Sequence, residues 1–204
     1  MTTMLLPDPD AMRSVGSHNE ADFTDAYEGF DVAERAVDWC RQNIQPERPD
    51  FRFHHLDAAN GLYNPAGAFD PSTTSFPWPD DWFDRAILTS VFTHMTTDTV
   101  EQYLIELQRV LAPGGGAFVS FLLITPEAVS LPPSEDRLHF HRYDDHSWVV
   151  SDHCAEEAVG HDADRVFGCL SDLGFDVSMP PVIAKWADPT RPRGAQDMFM
   201  IWKA

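Results

Sequence analysis

The apolar positions of this 204-residue chain change period as it runs, and from residue 27 onward the changes mark alternating strands and helices. Tyr27-Glu-Gly-Phe-Asp-Val32 is a short apolar run that closes on an acid, and residues 33–44 follow with Ala36, Val37, Cys40 and Ile44 at helical spacing. Pro46 and Pro49 end that element. Phe51-Arg-Phe-His-His-Leu56 alternates as a half-buried strand and runs into Asp57. Residues 83–91 contain the buried-strand run Ala86-Ile-Leu and end near Ser90. Residues 98–111 predict an amphipathic helix, with Val100, Tyr103, Leu104, Leu107, Val110 and Leu111 along one stripe. Thr97 or Asp98 is its expected N-cap, with Glu101 placed for a capping box. Pro113-Gly-Gly-Gly116 stops the helix, and residues 117–124 form a continuous apolar run of the kind a central parallel strand needs when both faces are covered.

The intervening segments read differently. Residues 60–82 hold four prolines and two glycines and predict a long loop. Residues 125–154, rich in Pro, His and Asp, predict irregular chain; residues 159–173 predict a helix ending at Gly174. Residues 175–183 and 196–202 look like two closing strands, joined by a loop with Pro189, Pro192 and Gly194. Strands alternating with helices argue for an α/β doubly wound, mostly parallel sheet in three αβα layers. No internal repeat or second domain is visible, so residues 1–204 are expected to form one domain, with residues 1–26 atypical.

Composition narrows the partners. The formal charge of −19 and only two lysines, Lys185 and Lys203, argue against nucleic acid and against an anionic membrane surface, both of which need clustered cations. No apolar run reaches the ~20 residues of a membrane span, and the start is too short and uncharged for a signal peptide. Cys40, Cys154 and Cys169 suggest neither a disulfide framework nor a zinc knuckle, and a reduced, cytoplasmic setting is expected.

In an open parallel sheet, ligands sit beyond the carboxyl ends of the strands. Asp31 ends the first clear strand, where a carboxylate can accept hydrogen bonds from both hydroxyls of a ribose. Asp57 and Ala58 follow the second, where an acid can meet an adenine amino group. Ser90 and Val91 follow the third, where small residues leave room for a ligand. Each signal alone is weak, because an Asp after a strand more often caps a turn or helix.

The ordered set carries more. Tyr27-Glu-Gly-Phe-Asp-Val32, Trp39-Cys-Arg-Gln-Asn-Ile44, Phe51-Arg-Phe-His-His-Leu-Asp57, Ser90-Val-Phe-Thr-His-Met95 and Glu106-Leu-Gln-Arg-Val-Leu-Ala-Pro-Gly-Gly115 resemble the motifs of class I S-adenosylmethionine-dependent methyltransferases. Gln196-Asp-Met-Phe-Met-Ile-Trp-Lys203 is similar to the antiparallel last strand of that Rossmann-like fold. The resemblance covers residues 27–204. It implies S-adenosyl-L-methionine as cofactor, with Asp31 and Val32 at the ribose, Asp57 and Ala58 at the adenine, and Ser90 and Val91 along the methionine arm.

One part of the family pattern has no counterpart. The family carries a glycine-rich loop about twenty residues before the ribose acid, and that count lands on Pro7-Asp-Pro-Asp-Ala-Met12. Prolines fix φ and remove amide donors, and Asp8 and Asp10 would set negative charge near the cofactor carboxylate. Thr3 to Leu6 is expected either to fill the slot of the family's first, central strand as a short stub or to belong to a poorly ordered start. A truncated, frame-shifted or degenerated start are all open readings.

Three functions fit these residues. The first is methyl transfer to an oxygen or nitrogen of a small molecule. The others are a methyltransferase-like pseudoenzyme that has lost cofactor binding, and a repurposed domain. His94, four residues past Ser90, is the candidate base or acceptor-orienting residue, set against a plain helix-start role. His139, His141, Asp144, Asp145, His146, Asp152 and His153 match no zinc signature, so no metal is expected, and an acceptor-side loop is the favoured reading. Pro77-Trp-Pro-Asp-Asp-Trp82 is read as loop packing. Oligomeric state is not readable.

Overall fold

A computed structural model describes residues 27–131, 138–177, 183–188 and 196–204. Strand β1 (Tyr27–Asp31) lies parallel to β2 (Phe51–His55), in register from Tyr27 opposite Phe51 to Asp31 opposite His55. Helix α1 (Glu34–Asn43) crosses between them and turns Val37 and Cys40 inward. The crossover is short because both strands are short, and the parallel pairing requires it.

A second ladder joins β3 (Phe83–Leu88), β4 (Leu111–Phe121), β10 (Asp197–Lys203) and β9 (Phe175–Val177), in the order β3-β4-β10-β9. Helix α2 (Thr97–Val110) connects β3 to its parallel neighbour β4. β10 runs antiparallel to both β4 and β9, as expected for the last strand. Among the described residues no strand joins β1 to β3, and the expectation placed on Thr3 to Leu6 lies outside the described residues. The two ladders nevertheless share one core. Phe30 of β1 touches Phe76 and Tyr103, and a stack runs from Phe92 through Phe121 to Phe199.

Gly116 shows why small residues open β4. A Cβ there would come within 2.6 Å of the Trp202 ring on β10, so only glycine lets that ring lie flat against the neighbouring strand.

The structure departs from the sequence expectations in four places. Helix α2 starts at Thr97 with Thr96 as N-cap and no side-chain cap bond; Glu101 instead receives Arg165 Nε at 2.7 Å, an ion pair that takes the place of a capping box. The next strand, β4, begins at Leu111 without waiting for the glycines, because Leu111 pairs with Phe83 across a bulge. Residues 159–173 are not one helix. Val159–Asp162 form β8, and α4 (Ala163–Asp172) begins only after Asp162 caps it by accepting the Arg165 amide at 2.8 Å.

The fourth departure is the segment 125–154. It contains α3 (Pro126–Ser130), started by the Thr125 hydroxyl, which accepts the Ala128 amide at 3.2 Å. Short strands β6 (His141–Arg142) and β7 (Ser147–Val149) join β8 and β5 (Leu123–Ile124) in a small sheet ordered β5-β8-β7-β6. β5 continues the line of β4 after Leu122. Polar residues hid this sheet, because its outer strand β6 is exposed and needs no apolar alternation, and β7 alternates over only three residues. No helix among the described residues is long and apolar enough to cross a membrane.

Candidate functional site

The carboxyl ends of β1, β2 and β3 converge on one cavity. Its walls include Asp31 and Val32 after β1, Asn60 and Tyr63 from the loop after β2, Met95 and Thr96 before α2, Tyr103 on α2, and Glu156. Glu156 arrives from far along the chain, in the 3₁₀ turn Ala155–Glu157 between β7 and β8. The cavity encloses about 70 Å³.

Asp31 is 1% exposed, and its Oδ1 accepts the Ala33 amide at 2.7 Å, so it both ends β1 and starts α1. A carboxylate has more than one acceptor site, so this turn bond and a ligand contact are compatible. Its charge also acts on its neighbours. Burial first, and the Asp31 carboxylate after it, push the phenols of Tyr63 and Tyr103 above the ordinary tyrosine value. Both stay neutral donors facing the same cavity as the acid.

The other sequence-derived positions lie one layer back. Asp57 Oδ1 accepts Asn64 Nδ2 at 3.0 Å, and Ala58 is fully buried, while their successors Ala59 and Asn60 line the cavity. Val91 is fully buried in the core. Ser90 takes a left-handed backbone, φ +57°, and its hydroxyl accepts Gln196 Nε2 at 2.5 Å. The cavity is reached instead by Met95 and Thr96, at the far end of the 3₁₀ turn Phe92–His94.

His94 sits in that turn. Its Nδ1 donates to the Glu156 carbonyl at 2.8 Å, its own carbonyl accepts Asn60 Nδ2 at 3.1 Å, and its ring meets Tyr63 edge-on at 5.6 Å. Donation from Nδ1 leaves Nε2 as the basic atom. Burial holds its pKa below the usual histidine value, so the imidazole is neutral at neutral pH. Glu156 ties the site together: Oε1 accepts the Gly61 amide at 3.2 Å while its carbonyl holds His94.

The sequence reading missed Tyr63, Thr99, Tyr103 and Glu156. Tyr103 lay on the apolar stripe of α2 and counted as core, which it also is, at 1% exposed. Glu156 carried no local signal, because only the pairing of β7 with β8 brings it across. The histidine-rich segment behaves as surface: His141 pairs with Asp152 at 2.7 Å in the open. Among the described residues no group of three His, Cys, Asp or Glu side chains could hold a metal ion.

A family model described as a methyltransferase domain matches residues 18–119, half of the chain and the stretch that carries β1 to most of β4. Among solved structures, an S-adenosylmethionine-dependent methyltransferase from Methanosarcina mazei superposes with a TM-score of 0.56 at 14% identity, over 86% of this chain and 81% of that one. One from Mesorhizobium loti gives 0.53 at 14% identity, over 87% and 80%. Human N-acetylserotonin methyltransferase, solved in complex with S-adenosylmethionine, gives 0.51 at 17% identity over 88% of this chain, which spans only 41% of that protein. These likenesses, all at 17% identity or less, show the fold. The chain belongs to the methyltransferase-domain family and is built on the class I S-adenosylmethionine-dependent methyltransferase fold.

Proposed function

We propose that this protein transfers a methyl group from S-adenosylmethionine to an oxygen or nitrogen of a small molecule. The observation that carries the reading is Asp31, a buried carboxylate at the end of β1 that opens onto the cavity shared by Tyr63, Tyr103 and Glu156. Asp31 would hold the ribose, with Val32 beside it, and Met95 and Thr96 would flank the sulfur end. When bound, the cofactor supplies an activated methyl on a sulfonium. The chain's own task is alignment, since holding acceptor and methyl at attack distance accounts for much of such a rate.

His94 is not itself in the cavity lining but touches three residues that are, Asn60, Tyr63 and Glu156; an oxygen or nitrogen acceptor seated beside them would give its proton to Nε2. The cavity lining contains two carboxylates, Asp31 and Glu156, and no lysine, arginine or histidine. With a net charge of −19, that lining favours hydroxylated or amine acceptors over phosphates and carboxylates. Human N-acetylserotonin methyltransferase, which shares this fold, is by its name an enzyme of a small molecule.

A second reading has its own support. About 70 Å³ is well under the roughly 300–1,000 Å³ of small-molecule sites, and Asp57 and Ser90 are engaged within the protein. On that reading the domain has lost cofactor binding and serves as a scaffold. A turnover assay decides between them. The enzyme reading expects S-adenosylhomocysteine to accumulate when the protein is given S-adenosylmethionine and a panel of small alcohols and amines, and to stop when Asp31 is changed to Ala. Product formed equally by the variant would remove Asp31 from the account.

A further inference from the structure

Ser90 has φ +57°, the left-handed region in which a Cβ crowds the backbone, yet the position is not glycine. A closed ring of hydrogen bonds surrounds it. The Ser90 amide donates to Ser120 Oγ at 2.7 Å, the Ser120 hydroxyl donates to Gln196 Oε1 at 2.7 Å, and Gln196 Nε2 donates to Ser90 Oγ at 2.5 Å. The ring ties the end of β3 to β4 and to the residue that leads into β10. Its members are themselves fixed: Ser120 is fully buried, and Asp197, next to Gln196, is fully buried and accepts the Leu123 amide at 2.9 Å.

Beyond Ser90 the chain builds the cavity wall. It passes through fully buried Val91 and the 3₁₀ turn Phe92–His94 to Met95 and Thr96. The far end of this path is held by Asn60 and Glu156 through His94. Its near end depends on the turn at Ser90. Residues kept in sparsely populated backbone regions persist only when their surroundings over-determine them, and they gather at functional sites.

We propose that Ser120 and Gln196 are positioning residues of the cofactor site: their hydrogen-bonded ring locks Ser90 in its left-handed turn and so sets where Met95 and Thr96 stand in the cavity wall. The inference rests on the methyltransferase reading for its ligand, but the conformational link it asserts exists with or without one. It makes the final strand, far in sequence from every cofactor motif, part of the site's framework.

The test uses Gln196→Ala and Ser120→Ala, each alone and combined with Ser90→Gly, in the full chain. Glycine adopts positive φ with no Cβ penalty, so it should hold the turn without the ring. Two readouts are taken, the Kd for S-adenosylhomocysteine and the methyl resonance of Met95. Gln196→Ala is expected to raise Kd at least fivefold and to shift the Met95 signal. In the Ser90→Gly background the same change should raise Kd less than twofold and leave Met95 in place. Equal losses in both backgrounds would reduce the ring to a general stabiliser and overturn the proposal. Should Gln196→Ala unfold, Ser120→Ala, which removes a single hydroxyl, gives the same comparison. If the wild-type protein binds no S-adenosylhomocysteine, the methyltransferase reading fails and the Met95 signal alone decides: movement rescued by Ser90→Gly supports the ring, and an unmoved signal overturns it.

Discussion

His161, on β8, donates from Nε2 to the carbonyl of Phe92 at 2.9 Å and so fastens the small sheet to the turn that carries His94. It is 2% exposed, its ring lies edge-on to Phe121, and its Nδ1 finds no hydrogen-bond partner among the described residues. Burial pushes its pKa down to about 4, with the Phe92 carbonyl and Asp144 opposing that shift weakly. A charged imidazolium would carry a second N–H with nothing to accept it.

This burial fixes the sign of a pH effect. The unfolded chain takes up a proton near pH 6.5, while the folded protein resists until about 4. The contribution of His161 is therefore complete above about pH 6.5 and is lost as pH falls toward 4, by about 3 kcal/mol in all. His161→Gln keeps a donor for Phe92 but does not titrate. Urea unfolding of both proteins from pH 7 to 4 should show the wild type losing stability relative to the variant as pH falls. A difference that stays constant would mean His161 is not held neutral.

Arg109 and Glu106 form a staple on α2. The guanidinium meets both Glu106 oxygens, at 3.1 and 2.6 Å, and donates to the carbonyls of Phe76 and Trp78, while Glu106 accepts the Phe76 amide at 2.6 Å. Glu106 is buried, so removing Arg109 strands a charge. Arg109→Met is expected to cost about 3 kcal/mol and Arg109→Met with Glu106→Gln less than that, measured by chemical denaturation. A double variant worse than the single would show that the pair is stabilising in itself.

Asp31 has two roles that can be pulled apart. Asn in its place keeps an oxygen for the Ala33 amide but cannot accept from two hydroxyls. Asp31→Asn should stay within about 1 kcal/mol of wild-type stability and lose at least about tenfold in affinity for S-adenosylhomocysteine, some 1.4 kcal/mol. A loss of stability without a loss of affinity would leave only the turn role.

For His94, general-base catalysis predicts that His94→Ala lowers kcat by about 10²-fold, well beyond any weakening of cofactor binding that follows from releasing Glu156. Because burial depresses its pKa, the acid limb of the wild-type kcat profile should fall below about pH 6.5. A profile unchanged in the variant would assign His94 to structure alone.

Much of this architecture was legible because its signals are local. The stripe on α2, the alternation of Phe51-Arg-Phe and the acid at the end of β1 each follow from period and burial over a few residues. The sheet β5-β8-β7-β6 was not, since Gly160 and His161 pair across chain distances that no periodicity records. Gly160 accepts the Ile124 side chain where a Cβ would come within 2.6 Å, a packing reason invisible before the strands are paired. The site divided the same way. Asp31 was readable from its strand end, whereas Glu156 and Gln196 reach their places only through pairing of distant strands.

Isothermal titration of the wild-type protein with S-adenosylmethionine bears most directly on the role of this cavity. One site per chain, with binding that weakens at least about tenfold in Asp31→Asn, is the expected result. An absence of heat at millimolar ligand, with the protein shown to be folded, would contradict the claim that the cavity beside Asp31 receives an adenosyl group.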